Sequence, residues 1–253
     1  MSNILEDIIK PGRIITIWGK SGSGKTILVS DLIRSYLNTK KIIVFTDAMD
    51  DIMPILHGLV KDEGKNIENL KLANVQSFGL QSELMRSVPQ FIWSKKIEEH
   101  EEQNRPKFAE KYATIAHLSH YRNPDLLVFD EFTRLYSKKI ISANDPSVLI
   151  KDLAFQLGIL KFIAANNQVT VVLTSSTRSE SEENEATNEI FFKDVPVAHG
   201  LISHYTDIFI HIDWTKQLDE RSISVTYNST DEAIAKSINT RINLKSMLGG
   251  IEE

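Results

Sequence analysis

Apolar positions along the chain follow two rhythms. Ile14-Ile15-Thr16-Ile17-Trp18, Lys41-Ile42-Ile43-Val44-Phe45-Thr46, Leu126-Leu127-Val128-Phe129 and Val169-Thr170-Val171-Val172-Leu173-Thr174 are short, nearly continuous apolar runs. Runs of this length and β-branched content are expected of strands buried on both faces of a parallel sheet. Between them, Ile27, Leu28, Leu32, Ile33, Tyr36 and Leu37 recur at helical spacing, as do Leu149, Leu153, Leu157, Leu160 and Ile163. Ile52 to Val60 also reads as helix, and Leu70 to Phe78 as a further strand. From Gln81 to about Tyr121 the pattern is helical and charged in its middle, with Pro106 dividing it in two. Asp207 to Asp213 and Arg221 to Tyr227 alternate as antiparallel edge strands do, with a turn near Gln217 to Glu220. His211 then falls on the solvent face. Ser179 to about Lys193 is polar and Glu-rich, which predicts a long mobile loop.

The expected architecture is α/β: a mostly parallel central sheet flanked by helices, with an antiparallel C-terminal hairpin. It is read as a single domain over residues 1–253, with residues 1–12 a lead-in, 80–122 a charged helical segment and 177–197 the mobile loop. At 253 residues the chain can bury a substantial core. Zero cysteines exclude a disulfide framework, thiolate metal sites and a cysteine nucleophile, and no apolar run approaches membrane-spanning length. A cytoplasmic protein is expected. The seven histidines show no metal spacing, and a net charge of −5 means that any nucleic-acid contact must rest on a local basic patch.

The chemistry begins where the first strand ends. Gly19, Gly24, Lys25 and Thr26 match G-x-x-x-x-G-K-[ST], so residues Gly19, Lys20, Ser21, Gly22, Ser23, Gly24, Lys25, Thr26 and Ile27 are the candidate nucleotide-binding loop. The backbone of such a loop wraps a phosphate, Lys25 reaches the outer phosphates and the Thr26 hydroxyl ligates Mg²⁺. Open parallel sheets carry their ligands at the carboxyl ends of strands. Three strand ends therefore supply candidates. Asp130, closing an apolar run, is a second Mg²⁺ ligand, and Glu131 follows it. Asp47 closes the second strand, with Asp50 and Asp51 read as first-turn helix acids. Ser175, Ser176 and Arg178 close the fourth run and face the same side, with Arg178 a candidate phosphate sensor.

This order of strand, phosphate loop, aspartate strand, serine-ended strand, long loop and terminal hairpin resembles a RecA-like ATPase core, specifically the archaeal RadA, RadB and Rad51 recombinase branch. Pro11 to Gly19 looks like that branch's entry to Walker A, Leu126 to Phe132 like its Walker B, and Ala198 to His204 like the segment after its second DNA-binding loop. The short lead-in has room for neither the N-terminal domain nor the polymerisation segment of RadA, so the resemblance is to a RadB-type or other RadA paralogue. It implies ATP and Mg²⁺ as ligands, slow ATP hydrolysis and modulation of homologous recombination or repair.

Departures from the family pattern qualify that implication. The family's water-positioning glutamate after the second strand is absent, and Asp47 or Glu131 takes its place as the candidate base. Its sensor glutamine is replaced by Ser175 or Ser176. The second DNA-binding loop carries Glu180, Glu182, Glu183, Glu185 and Glu189 against Arg178 and Lys193, whereas the first keeps Arg134, Lys138 and Lys139 beside Tyr136. Weak, salt-sensitive binding of single-stranded DNA through the first loop is expected, with a recombinase or other repair protein as partner. The alternatives are a nucleotide-dependent protein-interaction module and a KaiC-like signalling ATPase with little or no DNA binding.

Overall fold

A computed structural model describes residues 9–63, 67–93, 123–184, 189–228 and 238–247. The elements in chain order are β1 (Ile14–Trp18), α1 (Lys25–Tyr36), β2 (Ile42–Thr46), α2 (Met49–Glu63), β3 (Leu70–Asn74), α3 (Phe78–Trp93), β4 (Leu126–Asp130), α4 (Arg134–Ile140), α5 (Pro146–Asn167), β5 (Thr170–Ser175), β6 (Thr177–Asn184), β7 (Glu189–Pro196), α6 (His199–Tyr205), β8 (Ile208–Trp214), β9 (Glu220–Tyr227), β10 (Ile238–Asn243) and the short turn α7 (Leu244–Met247).

Eight strands form one sheet in the order β10-β9-β8-β1-β5-β4-β2-β3. Every pairing from β8 across to β3 is parallel, and those of β8 with β9 and β9 with β10 are antiparallel. Continuous apolar runs are needed because side chains alternate between two covered faces. On one face Ile14, Ile43, Phe45, Leu127, Phe129, Val171 and Leu173 meet α3 and α5 through Leu84, Met85, Leu153, Leu157 and Leu160. On the other Ile15, Ile17, Val44, Leu126, Val128 and Val172 meet α1 through Leu28, Val29, Leu32 and Ile33. Asp145 caps α5 by accepting from the Ser147 N–H at 2.9 Å, with Pro146 at the first helical position; Gln168 closes it with a left-handed backbone.

Three expectations change. Residues 177–184 and 189–196, read as loop, pair instead as a two-stranded antiparallel ribbon, from Thr177 opposite Pro196 to Asn184 opposite Glu189. A ladder of backbone hydrogen bonds needs no apolar alternation in its first arm, which is why composition hid it. The strands beginning at Ile208 and Glu220 are not edges. β8 lies between β1 and β9, and β9 between β8 and the edge strand β10. His211, opposite Trp18 in the parallel register, is half-buried and stacks on that indole with ring centroids 3.9 Å apart. Burial lowers its pKa. Of the segment 80–122 read as helical, residues 80–93 lie in α3, which carries Pro89 inside it; residues 94–122, Pro106 among them, lie outside the described residues.

Candidate nucleotide-binding site

Residues 19–24 turn from β1 into α1. A side chain at Gly19 would place its Cβ 2.3 Å from the Ile212 carbonyl oxygen and 2.7 Å from Ser23 Oγ, so the loop can pass β8 only without one. Gly24, immediately before the helix, has φ 100°, a left-handed conformation that favours glycine. The loop is closed by the Ser23 N–H donating to the Lys20 carbonyl at 3.1 Å and held to β5 by the Gly19 N–H and the Ser175 carbonyl at 3.4 Å.

Lys25 is 4% exposed and folds back under this loop. Its Nζ donates to the carbonyls of Gly19 and Lys20 at 3.1 and 3.2 Å and pairs with Glu131 Oε1 at 3.4 Å. Thr26 Oγ1 faces the Asp130 carboxylate, 3.3 Å from Oδ2. Asp130 also accepts from Thr174 Oγ1 at 2.9 Å, and the same Thr174 oxygen accepts the Glu131 N–H at 2.6 Å. One hydroxyl on β5 thus fixes two consecutive residues of the neighbouring strand end. The Glu131 backbone has φ 58°, uncommon outside glycine, which turns its carboxylate toward Lys25.

Burial pushes the Asp130 pKa up to about 6, with the adjacent Glu131 charge adding to the rise; the hydroxyls of Thr174 and Thr26 and the Lys25 charge oppose it. A hydroxyl and a buried carboxylate at this separation are the hard oxygen donors that suit Mg²⁺, which takes one or two protein oxygens and completes its shell with water and phosphate. Among the described residues no cluster of three or more acidic, histidine or cysteine side chains forms a self-sufficient metal site.

The remaining sequence candidates divide by surroundings. The Asp47 side chain is 5% exposed and pairs with Arg134 Nε at 2.9 Å and Lys138 Nζ at 3.6 Å, while its Oδ1 has no hydrogen-bond partner among the described residues. Two of the three first-loop cations therefore lie on a carboxylate of the sheet, and Lys139 stands exposed beside them. Ser175 is buried, its hydroxyl bonded to Thr133 Oγ1 at 2.9 Å and the Ser176 carbonyl at 3.0 Å, so it braces the strand end. Arg178 lies on the ribbon and pairs with Glu180. Lys20 pairs with Asp194 of β7 at 2.9 Å, which raises the lysine pKa and lowers that of the carboxylate. Ser21, Gly22 and Ser23 form the tip of the loop, and Ile27 packs half-buried against the α1-side core.

Sequence reading missed four residues around the loop: Thr174, Asp194, Arg221, whose Nε donates to the Ser23 carbonyl at 3.1 Å, and Trp214, whose ring borders Gly22. Thr174 was detectable as a hydroxyl within an otherwise apolar run. The other three come from strands distant in sequence and carry no motif.

A mostly parallel sheet covered by helices, with the phosphate loop after β1, acidic residues at the β4 end and an antiparallel C-terminal extension, is the RecA-like architecture. Within it the chain is similar to RadB. It is 24% identical over 225 residues to the DNA repair and recombination protein RadB of Methanobrevibacter smithii, covering 87% of this chain and 81% of that protein. The crystal structure of a RadB recombinase superimposes with a TM-score of 0.63 at 18% identity, covering 94% of this chain and 90% of the other. The resemblance read from the motifs is thereby borne out. No protein-family model matches the chain. Among the described residues, no helix is long and apolar enough to cross a membrane.

Proposed function

We propose that this chain is an ATP-binding, slowly ATP-hydrolysing RadA paralogue of RadB type that acts in homologous recombination or DNA repair. The observation that carries the reading is the convergence of Lys25, Thr26, Asp130 and Glu131 at one end of the sheet, with Lys25 paired to Glu131 and Thr26 facing Asp130. Lys25 and the loop amides neutralise phosphate charge, and Thr26 with Asp130 holds Mg²⁺. Held by the Thr26 hydroxyl and the Asp130 carboxylate, Mg²⁺ would supply positive charge to offset that of the phosphates. Of the two candidate bases, Glu131 is the better placed: its carboxylate lies beside Lys25, where it can orient water and accept its proton. Asp47 is held by Arg134 and Lys138. The deciding assay is steady-state ATP hydrolysis with and without single-stranded DNA; a preparation that neither binds nor turns over ATP defeats the proposal.

A second reading, a nucleotide-dependent interaction module that contacts a repair protein, is favoured by the pairing of Arg134 and Lys138 with Asp47. Cations so engaged attract a phosphodiester less than free ones, so contact with DNA is weak and salt-sensitive.

A further inference from the structure

Trp214 ends β8 at the side of the phosphate loop, and its surroundings do not suit an ordinary surface residue. It is directly opposite Arg221 of β9 in the antiparallel register, and the guanidinium carbon lies 3.9 Å from the centre of the indole ring. Arg221 is only 4% exposed. Its Nε donates to the Ser23 carbonyl of the phosphate loop at 3.1 Å, and Nη1 donates to the carbonyls of Leu218 and Glu220 at 2.7 and 2.8 Å. The guanidinium is thus immobilised between the loop and the β8–β9 turn, and it clamps the ring from one side. The benzo edge borders Gly22, where a Cβ would stand 3.4 Å from Cζ2. Trp214 as a whole is nevertheless 45% exposed, although the alternate β8 residues Ile208, Ile210 and Ile212 are buried.

We infer that Trp214 is a nucleobase shelf: its open surface stacks the base of the nucleotide whose phosphates the loop from Gly19 to Thr26 holds, while Arg221 keeps the ring fixed against that loop. The inference rests on the nucleotide-binding reading above. A rigid aromatic surface beside a phosphate cradle matches the two ends of a nucleotide, one planar and apolar and the other anionic. Because every base has a π-face, stacking discriminates by ring size rather than by hydrogen-bond pattern. The site therefore prefers purine over pyrimidine nucleotides and separates ATP from GTP only weakly. No other aromatic is clamped against the loop tip in this way among the described residues.

Calorimetric titration of the parent, Trp214→Ala and Trp214→Phe with Mg²⁺ plus ATP, GTP, CTP or inorganic tripolyphosphate tests the assignment. Tripolyphosphate carries the phosphates without a base. Trp214→Ala is expected to weaken ATP and GTP about tenfold, within the range for one stacked base, and to leave tripolyphosphate within about twofold. Trp214→Phe keeps a ring and should retain ATP affinity within about threefold of the parent. Equal loss of ATP and tripolyphosphate in Trp214→Ala overturns the shelf and makes the ring a prop for the loop; unchanged ATP affinity overturns it outright. A parent that binds ATP no more tightly than tripolyphosphate also overturns the shelf but leaves phosphate binding standing. A parent that binds neither defeats the nucleotide-binding proposal and the shelf with it.

Discussion

Two aspartates stand at the carboxyl ends of neighbouring strands in opposite electrostatic settings. Asp130 closes β4 opposite Thr46 of β2, and Asp47 comes one residue after Thr46. Both carboxylates are nearly buried. Asp130 is met by the hydroxyls of Thr26 and Thr174, and its pKa rises to about 6. Asp47 is met by Arg134 and Lys138. A carboxylate that lacks a bonded cation is available for a metal, whereas one already neutralised by guanidinium and ammonium anchors a helix. Under the proposed function the difference separates the reacting side of the sheet end from its scaffold, although both residues look alike in sequence.

The largest effect expected on the reacting side is that of Lys25→Ala. Loss of its charge and hydrogen bonds should abolish hydrolysis and weaken ATP by about ten- to a hundredfold, measured by calorimetry. Next, Glu131→Gln should lower kcat by about 10²- to 10⁴-fold with ATP affinity preserved, while Asp47→Asn leaves kcat within about threefold. If Asp47→Asn alone removed turnover, the assignment of the two sides would be reversed.

Asp130 also sets a pH dependence. Its folded pKa lies above the ordinary carboxylate value of 3.8, so between about pH 4 and 6 the folded state binds more protons than the unfolded one, and stability falls as pH rises through that window. At neutral pH the ionised group costs up to about 3 kcal/mol in the absence of metal. Denaturant titrations in a chelator should show Asp130→Asn with a flatter profile than the parent across this window, and Mg²⁺ should stabilise the parent more than the variant. A parent and variant with parallel profiles would falsify the electrostatic account of this carboxylate.

On the scaffold side, Asp47→Ala should cost about 1–2 kcal/mol by thermal or denaturant unfolding. The buried carboxylate pairs with partly exposed cations, which keeps the loss below that of a fully buried pair. A cost below 0.3 kcal/mol, on the order of experimental scatter, would mean the pairs do not anchor α4. The smallest effect is that of the double reversal Lys138→Glu and Lys139→Glu on single-stranded DNA. Anisotropy titrations at low and moderate salt should show reduced affinity and a shallower salt dependence; unaltered binding at both salts would remove the first loop as the contact.

The chain announced its interior well and its wing poorly, for physical reasons. Strands such as Leu126–Asp130, buried on both faces, are forced to be continuously apolar, and the phosphate loop needs its glycines and lysine at set spacing, so both can be read in one dimension. The β6–β7 ribbon pairs through backbone groups and leaves no such trace. His211 illustrates the same limit: strict alternation with Ile210 and Ile212 places it on the other face but cannot show that Trp18 waits there. Nor could spacing show that Asp47 meets Arg134 and Lys138 while Glu131 meets Lys25, since those cations come from other elements.

The place of β1 in the sheet has a consequence for the order of assembly. Its two neighbours are β5 and β8, whose partners for Ile15 are Val172 and Ile208, both far along the chain. Contacts of such long sequence separation form late, because the entropy of closing a long loop must be overcome before they yield any stabilisation. The phosphate loop rests on both strands, through Ser175 on one side and Ile212 on the other. Nucleotide-binding competence should therefore emerge with the last docking event of refolding, and a fluorescent nucleotide analogue added at time zero would serve as a clock for it.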